Sequence, residues 1–244
     1  MKYTSDERRI NKMLELENLE VGYGESMVVR NIQLKVKESQ VVCIMGRNGV
    51  GKTTLLKAIM GILSPKSGSI LFKNDNITKK SPSYRAIKGI GYVPQGREIF
   101  PKLTVYENLL IGLEASGGTK KNLIREDIYE YFPILKEFKN RNGGDLSGGQ
   151  QQQLAIARAL VSNPSFLLLD EPTEGIQPNI VVDIQRVIRD IKEKSKTSMI
   201  LVEQNLDYAK SVADYIYVVD HGSIVYESSV DEIKDEDVYR YLSV

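Results

Sequence analysis

Residues 46–53 read Gly-Arg-Asn-Gly-Val-Gly-Lys-Thr, between the apolar run Val-Val-Cys-Ile-Met at 41–45 and Leu-Leu-Lys-Ala-Ile-Met at 55–60. This order predicts a buried strand, a glycine-rich loop and a helix. The glycines allow backbone N–H groups to converge on an anion, and the start of the helix adds the positive end of its dipole. Lys52 can then reach the β- and γ-phosphates of a nucleotide, and the Thr53 hydroxyl is the expected magnesium ligand. A glycine-rich turn with an unrelated lysine is the alternative, which the flanking strand and helix disfavour.

The composition limits the classes of protein to which the chain can belong. Of its 244 residues 41% are hydrophobic, which suffices for the core of one large α/β domain or of a domain with an inserted subdomain. The 33 basic and 32 acidic residues leave a net charge of +1, so the overall charge gives no reason to expect binding to nucleic acid or to an anionic membrane. No apolar run approaches the roughly 18 residues of a membrane-spanning helix. The one cysteine, Cys43, is expected in the core of a protein from a reducing compartment.

Two acidic residues, Asp170 and Glu171, follow a second apolar run at residues 166–169. Open α/β sheets place functional groups at the carboxyl ends of their strands. Neighbouring side chains diverge there, so one carboxylate can serve the metal held by Thr53 while the other faces the attacking water. Two acids that merely end a strand are the alternative. The phosphate-binding loop in the same chain favours the functional interpretation.

A second glycine turn, Ser147-Gly148-Gly149, precedes another predicted helix. Ser147 is a good N-cap, and small residues leave backbone N–H groups accessible at the positive helix end. This turn predicts a second phosphate-binding surface, one without a lysine. Because one chain has only one copy of each surface, two chains related by a two-fold axis would each complete the other's site. The pattern thus predicts an isologous dimer closed by ATP.

These motifs occur in the order known from ABC transporters: a Walker A loop at 46–53, a Q-loop at Gln95, the signature Leu-Ser-Gly-Gly-Gln at 146–150 and a Walker B strand with its glutamate at 167–171. Over residues 13–244 the chain resembles the nucleotide-binding subunit of an ABC transporter. The resemblance implies ATP hydrolysis, with ATP and Mg²⁺ as cofactors.

The resemblance also implies roles for individual residues. Lys52, Thr53 and Thr54 would hold phosphate and magnesium, Gln95 would sense the metal and the water, and Glu171 would polarise the water. Ser147 and Gly149 would contact the γ-phosphate bound by the partner chain. Tyr23 matches the adenine-stacking position, although ordinary packing is the commoner role of a lone tyrosine. The expected nucleotide contacts are Tyr23, Gly46, Asn48, Gly49, Gly51, Lys52, Thr53, Thr54, Ser147, Gly148, Gly149 and Gln150. The expected metal ligands are Thr53, Gln95 and Asp170, and the expected catalytic residues are Glu171, Gln204, Lys52 and Gln95.

The implied fold class is α/β: a P-loop NTPase core with an N-terminal antiparallel β subdomain and an inserted helical subdomain. The core and the β subdomain are expected at 13–95 and 164–244, and the helical signature subdomain at 96–163. Residues 1–12 form a tail of unassigned role. We expect the polar, lysine-rich run at 74–88 to be a solvated face, and we expect a last amphipathic helix over 230–242.

Residues 92–101 and 170–178 resemble importers of branched-chain amino acids and urea, with the urea type closer. Gln204 stands where most of the wider family has a switch histidine; it can hydrogen-bond a γ-phosphate or Glu171 but cannot shuttle a proton. Branched-chain relatives carry the same glutamine. Gln177 replaces the D-loop aspartate, which puts the usual contacts across the dimer in doubt. His221 is expected to be an exposed turn residue rather than a replacement switch.

The expected function is to power a membrane importer, for urea or branched-chain amino acids, from the inner face of the cell membrane. The expected partners are a second ATPase subunit of the same or a related chain in a head-to-tail dimer, transmembrane permease subunits and, indirectly, a substrate-binding protein, with no nucleic acid. Apolar residues at 99–103 could form a groove for a partner helix. Alternatives are a lipid or lipopolysaccharide exporter and an assembly or regulatory module with little turnover. An ABC ATPase acting on DNA or ribosomes would need a coiled coil or a second ATPase domain, which we do not expect here.

Overall fold

The protein is described by a computed structural model that covers residues 12–115 and 124–242. The predicted tail, apart from Lys12, lies outside these residues. The strands are β1 (Lys12–Tyr23), β2 (Ser26–Lys37), β3 (Val41–Met45), β4 (Ser67–Phe72), β5 (Asp75–Asn76), β6 (Ile90–Val93), β7 (Phe166–Asp170), β8 (Ser198–Glu203), β9 (Tyr215–Asp220) and β10 (Ser223–Ser229). The helices are α1 (Lys52–Met60), α2 (Pro82–Ile87), α3 (Val105–Glu114), α4 (Glu126–Tyr131), α5 (Pro133–Glu137), α6 (Gly148–Leu160), α7 (Pro178–Ser195), α8 (Leu206–Val212) and α9 (Asp235–Leu242), with a short 3₁₀ helix at Gly143–Asp145.

A six-stranded sheet of order β10-β9-β3-β8-β7-β6 carries the functional residues. Neighbouring strands from β9 to β6 pair in parallel, and β10 pairs antiparallel with β9 at one edge. The carboxyl ends of parallel strands meet at one edge of a sheet. The glycine loop after β3, Gln95 after β6, Asp170 on β7 and Gln204 after β8 are therefore brought to the same edge.

The predicted N-terminal hairpin is the centre of a second, four-stranded sheet of order β2-β1-β4-β5. β1 pairs antiparallel with β2 and with β4, and Tyr23 lies opposite Ser26 at the turn. Along β2 buried and exposed residues largely alternate, as expected for a strand with one face on a core. The sheet thus forms the antiparallel part of the α/β fold that the sequence predicts.

Two hydrophobic clusters lie on opposite faces of the six-stranded sheet. In β3, Val41, Cys43 and Met45 belong to the cluster with α6, α7 and α8, whereas Val42 and Ile44 belong to the cluster with α1 and the four-stranded sheet. A strand that is covered on both faces needs a continuous apolar run. This explains the uninterrupted sequence before the glycine loop, and it confirms the burial of Cys43.

Four α-helices occupy the described part of residues 96–163, where helical structure was predicted. α3 and α6 approach closely: a Cβ on Gly112 would lie 2.1 Å from the carbonyl oxygen of Arg158. Glycine is required at that crossing. The limits of the proposed subdomains stay a prediction.

The expectation of a solvated face over residues 74–88 is wrong for Arg85, which is 1% exposed. Its guanidinium donates to the Ala58 and Ile59 carbonyl oxygens, both at 2.7 Å, at the end of α1. The other guanidinium nitrogens donate to the Thr78 oxygen at 2.9 Å and the Lys80 oxygen at 3.0 Å. An arginine that satisfies free helix-end carbonyls can be buried without a carboxylate partner.

The last helix is also shorter than predicted, because it begins at Asp235 rather than near residue 230. Val230 still belongs to the sheet region, where its N–H donates to the Asp214 oxygen at 3.0 Å. Three acidic residues fill the first turn of α9. Negative side chains there favour a helix start through the helix dipole.

Candidate functional site

The loop between β3 and α1 has a backbone that only glycine fits at two positions. A Cβ on Gly46 would lie 2.3 Å from the Val219 carbonyl oxygen. Gly51, the N-cap of α1, has φ 109°, in the region that favours glycine. Strand, loop and helix occur as predicted, so the loop places the N–H groups at the start of α1 toward one cavity.

Lys52 lies folded over this loop. Its ammonium donates to the Gly46 carbonyl oxygen at 2.7 Å and to the Arg47 carbonyl oxygen at 2.9 Å. It also lies 3.7 Å from Oε1 of Glu171. Burial lowers the pKa of Lys52, and the Glu171 carboxylate opposes that shift. The Lys52 ammonium is therefore held where it would contact a phosphate group bound by the loop.

Glu171 follows the end of β7 and is held by two amides. Gln204 Nε2 donates to Oε1 at 3.0 Å, and Gln95 Nε2 donates to Oε2 at 3.1 Å. The backbone at Glu171 has φ 49°, in the left-handed region, and its N–H donates to the Val202 oxygen at 3.1 Å. This turn separates the Glu171 side chain from that of Asp170, as predicted for a strand end.

Asp170 is 1% exposed and faces the first turn of α1, where its Oδ1 accepts a hydrogen bond from the Thr53 hydroxyl at 3.1 Å. Burial raises the pKa of Asp170, and the Thr53 hydrogen bond opposes that shift. Its Oδ2 is buried and has no hydrogen-bond partner in the described part of the chain.

These oxygen donors fit magnesium, which prefers hard oxygen ligands. No group of three or more His, Cys, Asp or Glu side chains among residues 12–115 and 124–242 is arranged to hold a metal. Magnesium is commonly held by one or two protein ligands together with waters and substrate phosphates. In that pattern the Thr53 hydroxyl and the Asp170 carboxylate would be protein ligands, and the part of Gln95 as a third ligand stays a prediction.

Gln204 links the loop to Glu171. Besides Glu171, its Nε2 donates to Oδ1 of Asn48 at 2.8 Å. Gln95 makes a second bond as well, to Oε2 of Glu174 at 2.9 Å. Both glutamines predicted from the sequence therefore surround the same carboxylate, and one of them also contacts the glycine loop.

A cavity of about 290 Å³ is enclosed by this arrangement. It is lined by Val28, Asn48, Gly49, Gly51, Lys52, Thr53, Thr54, Gln95 and Glu171. Tyr23 is not among these lining residues; it is 49% exposed at the end of β1. His221 is exposed, as predicted, and lines a neighbouring cavity of about 650 Å³ together with Arg47.

The signature turn lies elsewhere on the chain. Ser147 is the N-cap of α6: its Oγ accepts from the Gln150 N–H at 3.4 Å, and its own N–H donates to Gln150 Oε1 at 2.9 Å. Gly148 and Gly149 form the first turn. None of the residues 146–150 is among those lining the loop cavity. The two predicted phosphate-binding surfaces are thus separate within one chain.

Sequence reasoning missed two residues beside the site, Glu203 and Tyr92. Glu203 ends β8, is 5% exposed and accepts a hydrogen bond from the Thr173 hydroxyl at 2.8 Å. Burial raises its pKa to about 7. A carboxylate at the carboxyl end of a buried strand is the signal that identified Asp170, and it applies equally to Glu203. Tyr92 has a buried hydroxyl for which the sequence gives no signal.

Among residues 12–115 and 124–242, no helix is long and apolar enough to span a membrane.

Comparison with known proteins gives consistent matches along the chain. The family model for the ABC transporter matches residues 29–174. The chain is 38% identical over 213 residues, 87% of this chain and 91% of the relative, to the high-affinity branched-chain amino acid transport ATP-binding protein BraG of Pseudomonas aeruginosa. It is 34% identical over 232 residues, 93% of this chain and 95% of the relative, to the lipopolysaccharide export system ATP-binding protein LptB of Escherichia coli K12.

Solved structures of ATP-binding cassettes also match the chain. The dimeric post-hydrolysis state of the ATP-binding cassette MJ0796, bound to ADP and Pi, superposes with a TM-score of 0.80 at 27% identity. The match covers 89% of this chain and 99% of that cassette.

Proposed function

The chain belongs to the ABC transporter family and is an ATPase subunit of a transporter, and we propose that it powers a membrane importer for branched-chain amino acids or urea. The observation that carries the catalytic part of this proposal is the position of Glu171. Its carboxylate lies beside Lys52 and is oriented by Gln95 and Gln204.

In the proposed mechanism the glycine loop binds the phosphates of ATP through its N–H groups. Lys52 exchanges its bonds to the Gly46 and Arg47 carbonyl oxygens for the β- and γ-phosphates, so its charge is available without a large movement. Thr53 and Asp170 would hold Mg²⁺, which would supply positive charge to neutralise the phosphates.

Glu171 then accepts a proton from the attacking water. Gln95 and Gln204 both donate to its carboxylate, and each bond fixes the direction in which a free oxygen lone pair points. Gln204 also contacts Asn48, so nucleotide on the loop and the position of Glu171 are linked through one side chain. A glutamine at this position orients but does not transfer a proton.

Ser147, Gly148 and Gly149 complete the site of a partner chain. This part of the proposal is supported by the absence of residues 146–150 from the lining of the chain's own loop cavity and by the dimeric cassette that the chain resembles.

The catalytic role is tested by Glu171→Gln, which keeps the shape of the side chain and removes the base. We expect ATP turnover by the purified chain to fall by about 10²- to 10⁴-fold, the usual contribution of a general base, while ATP binding persists. Glu174→Gln is the matched control, because Glu174 also accepts a bond from Gln95 but faces solvent; it should retain turnover. Equal turnover in wild type and Glu171→Gln would refute the role.

We propose a groove beside α3 and α6 as the docking site of the permease. It has a volume of about 380 Å³ and is lined by apolar side chains that include Ile62, Phe100 and Ile111, which are 50%, 44% and 39% exposed. Arg158 also lines it, with Nη1 buried and without a hydrogen-bond partner among the described residues. An amphipathic helix with an acceptor group for this arginine would fit. Through such a partner the chain would sit on the inner face of the cell membrane.

Phe100→Asp tests the groove. A carboxylate in an apolar groove costs desolvation on docking, so we expect loss of co-purification with the permease and loss of transport, while ATP binding by the isolated chain is unchanged. Normal transport by this variant would contradict the proposal.

The cargo is tested by uptake into proteoliposomes that contain the co-purified permease. We expect ATP-dependent uptake of labelled leucine or urea. The similarity to LptB supports a second candidate, a lipopolysaccharide exporter. ATP-dependent extraction of lipopolysaccharide from the same vesicles, without uptake of either solute, would favour the exporter.

A further inference from the structure

Tyr92 lies between the groove and the candidate metal site. It is on β6, opposite Leu168 of β7, and its ring lines the groove. Asp170 is two residues beyond Leu168 on the same strand. Side chains two positions apart on a strand point to the same face of a sheet, so Tyr92 and Asp170 share the face that α1 covers.

The Tyr92 hydroxyl and Asp170 Oδ2 are two buried polar atoms that lack hydrogen-bond partners in the described part of the chain. The register of β6 and β7 places the two side chains on one face of neighbouring strands. No hydrogen bond of ordinary geometry joins them here. A buried polar group that lacks a hydrogen-bond partner destabilises the fold, so a hydrogen bond from the Tyr92 hydroxyl to Asp170 Oδ2 would be favourable.

The remaining contacts of Asp170 show what such a bond would achieve. Its Oδ1 already accepts from Thr53. A donor on Oδ2 would fix the rotation of the carboxylate and leave Oδ1, beside the Thr53 hydroxyl, directed at the metal. Ligands of a bound ion are commonly oriented by a second group in this way.

We propose that Tyr92 is a positioning residue that donates a hydrogen bond to Asp170 Oδ2 and thereby orients the carboxylate for Mg²⁺. The inference rests on the proposed function, because it assumes that Thr53 and Asp170 hold the metal. The ring of Tyr92 is fixed independently, since it packs with the hydrophobic cluster around α1.

The test compares Tyr92→Phe with Tyr208→Phe. Tyr208 is the matched control because its hydroxyl is likewise buried and without a hydrogen-bond partner among the described residues, and α8 places it on the other face of the sheet, in the other cluster. The measured quantity is the dissociation constant of a fluorescent ATP analogue for the isolated chain, once with Mg²⁺ and once with EDTA. Thermal unfolding of each variant reports whether it is folded.

We expect Tyr92→Phe to weaken binding about tenfold with Mg²⁺, the fold-change that corresponds to about 1.4 kcal/mol, and to leave binding in EDTA unchanged. Tyr208→Phe should match wild type under both conditions. If Tyr92→Phe keeps the full effect of Mg²⁺, or weakens binding equally in EDTA, the positioning role is overturned. If wild type itself shows no effect of Mg²⁺, the proposed metal site fails instead, so the two failures are distinguishable.

Discussion

Glu203 lies in an environment unlike that of a surface carboxylate. It is 5% exposed at the end of β8, and burial raises its pKa from 4.5 to about 7 against the opposing hydrogen bond from Thr173. An acid with a raised pKa binds its proton more tightly in the folded chain than in the unfolded chain. Its contribution to stability is therefore full below pH 4.5 and is lost as the pH rises to about 7.

Glu203→Gln removes this titration and can still accept the Thr173 bond. We expect the free energy of unfolding of the variant, relative to wild type, to rise between about pH 4.5 and pH 7, by up to about 3 kcal/mol. Urea denaturation at several pH values measures it. Glu193→Gln, at an exposed position on α7, should follow wild type. Parallel pH profiles for Glu203→Gln and wild type would contradict the pKa shift.

Arg85 connects helix α2 to the end of helix α1. From α2 it donates to two carbonyl oxygens at the end of α1, the helix that begins at the phosphate-binding loop. Burial lowers its pKa to about 10, which leaves it charged at neutral pH. The guanidinium thus replaces the solvent that would otherwise satisfy these carbonyls.

Arg85→Met keeps much of the side-chain volume but removes the donor of the Ile59 oxygen, whereas the Ala58 oxygen still accepts from the Gly61 N–H at 3.1 Å. We expect a loss of about 2–4 kcal/mol in stability, measured as a fall of roughly 5–15 °C in Tm. Arg186→Met is the control, because Arg186 forms an exposed pair with Asp183 at 3.4 Å; a surface pair is worth about 0–1 kcal/mol. Equal Tm values for the two variants would show that the Arg85 bonds contribute little.

Helices α3 and α6 begin with the same type of N-terminal cap. Comparing variants of the two caps therefore distinguishes the structural role of Ser147 from its proposed role in nucleotide binding. Both Ser147, before α6, and Thr104, before α3, form a complete capping box. Ser147→Ala and Thr104→Ala should each cost about 1 kcal/mol of stability, measured by urea denaturation. We expect ATP turnover to be lost only in Ser147→Ala, because only this hydroxyl is proposed to contact nucleotide. Similar ATP turnover in both variants would show that Ser147 acts only as a helix cap.

At the scale of the whole molecule, the glycine loop and the signature turn, which we propose to form one nucleotide site between two chains, do not share a cavity within one chain. We therefore expect ATP to convert Glu171→Gln from monomer to dimer, because nucleotide bound on each loop supplies the contact for the partner's signature turn. Light scattering after size-exclusion chromatography measures the mass. The double variant Lys52→Ala and Glu171→Gln should stay monomeric with ATP. A dimer that forms equally without nucleotide would contradict closure by ATP.

Short-range patterns in the sequence determined the elements and much of the site. The apolar run before Gly46, the glycine spacing up to Lys52 and the cap at Ser147 are local features, and local sterics and hydrogen bonds act on them in any fold. They predicted the loop, the helix start and the ends of the strands. The α/β class followed because continuous apolar strands require cover on both faces.

Only the tertiary structure decided which distant residues meet. Gln204 contacts Asn48 because β8 pairs with β3, and Tyr92 shares a sheet face with Asp170 because β6 pairs with β7 in a particular register. The charge of Arg85 favoured a solvated face, and its burial depends on backbone carbonyl oxygens from the end of α1 and from residues 78 and 80. Strand order and register arise from the packing of the whole core, so these contacts have no signal in local sequence.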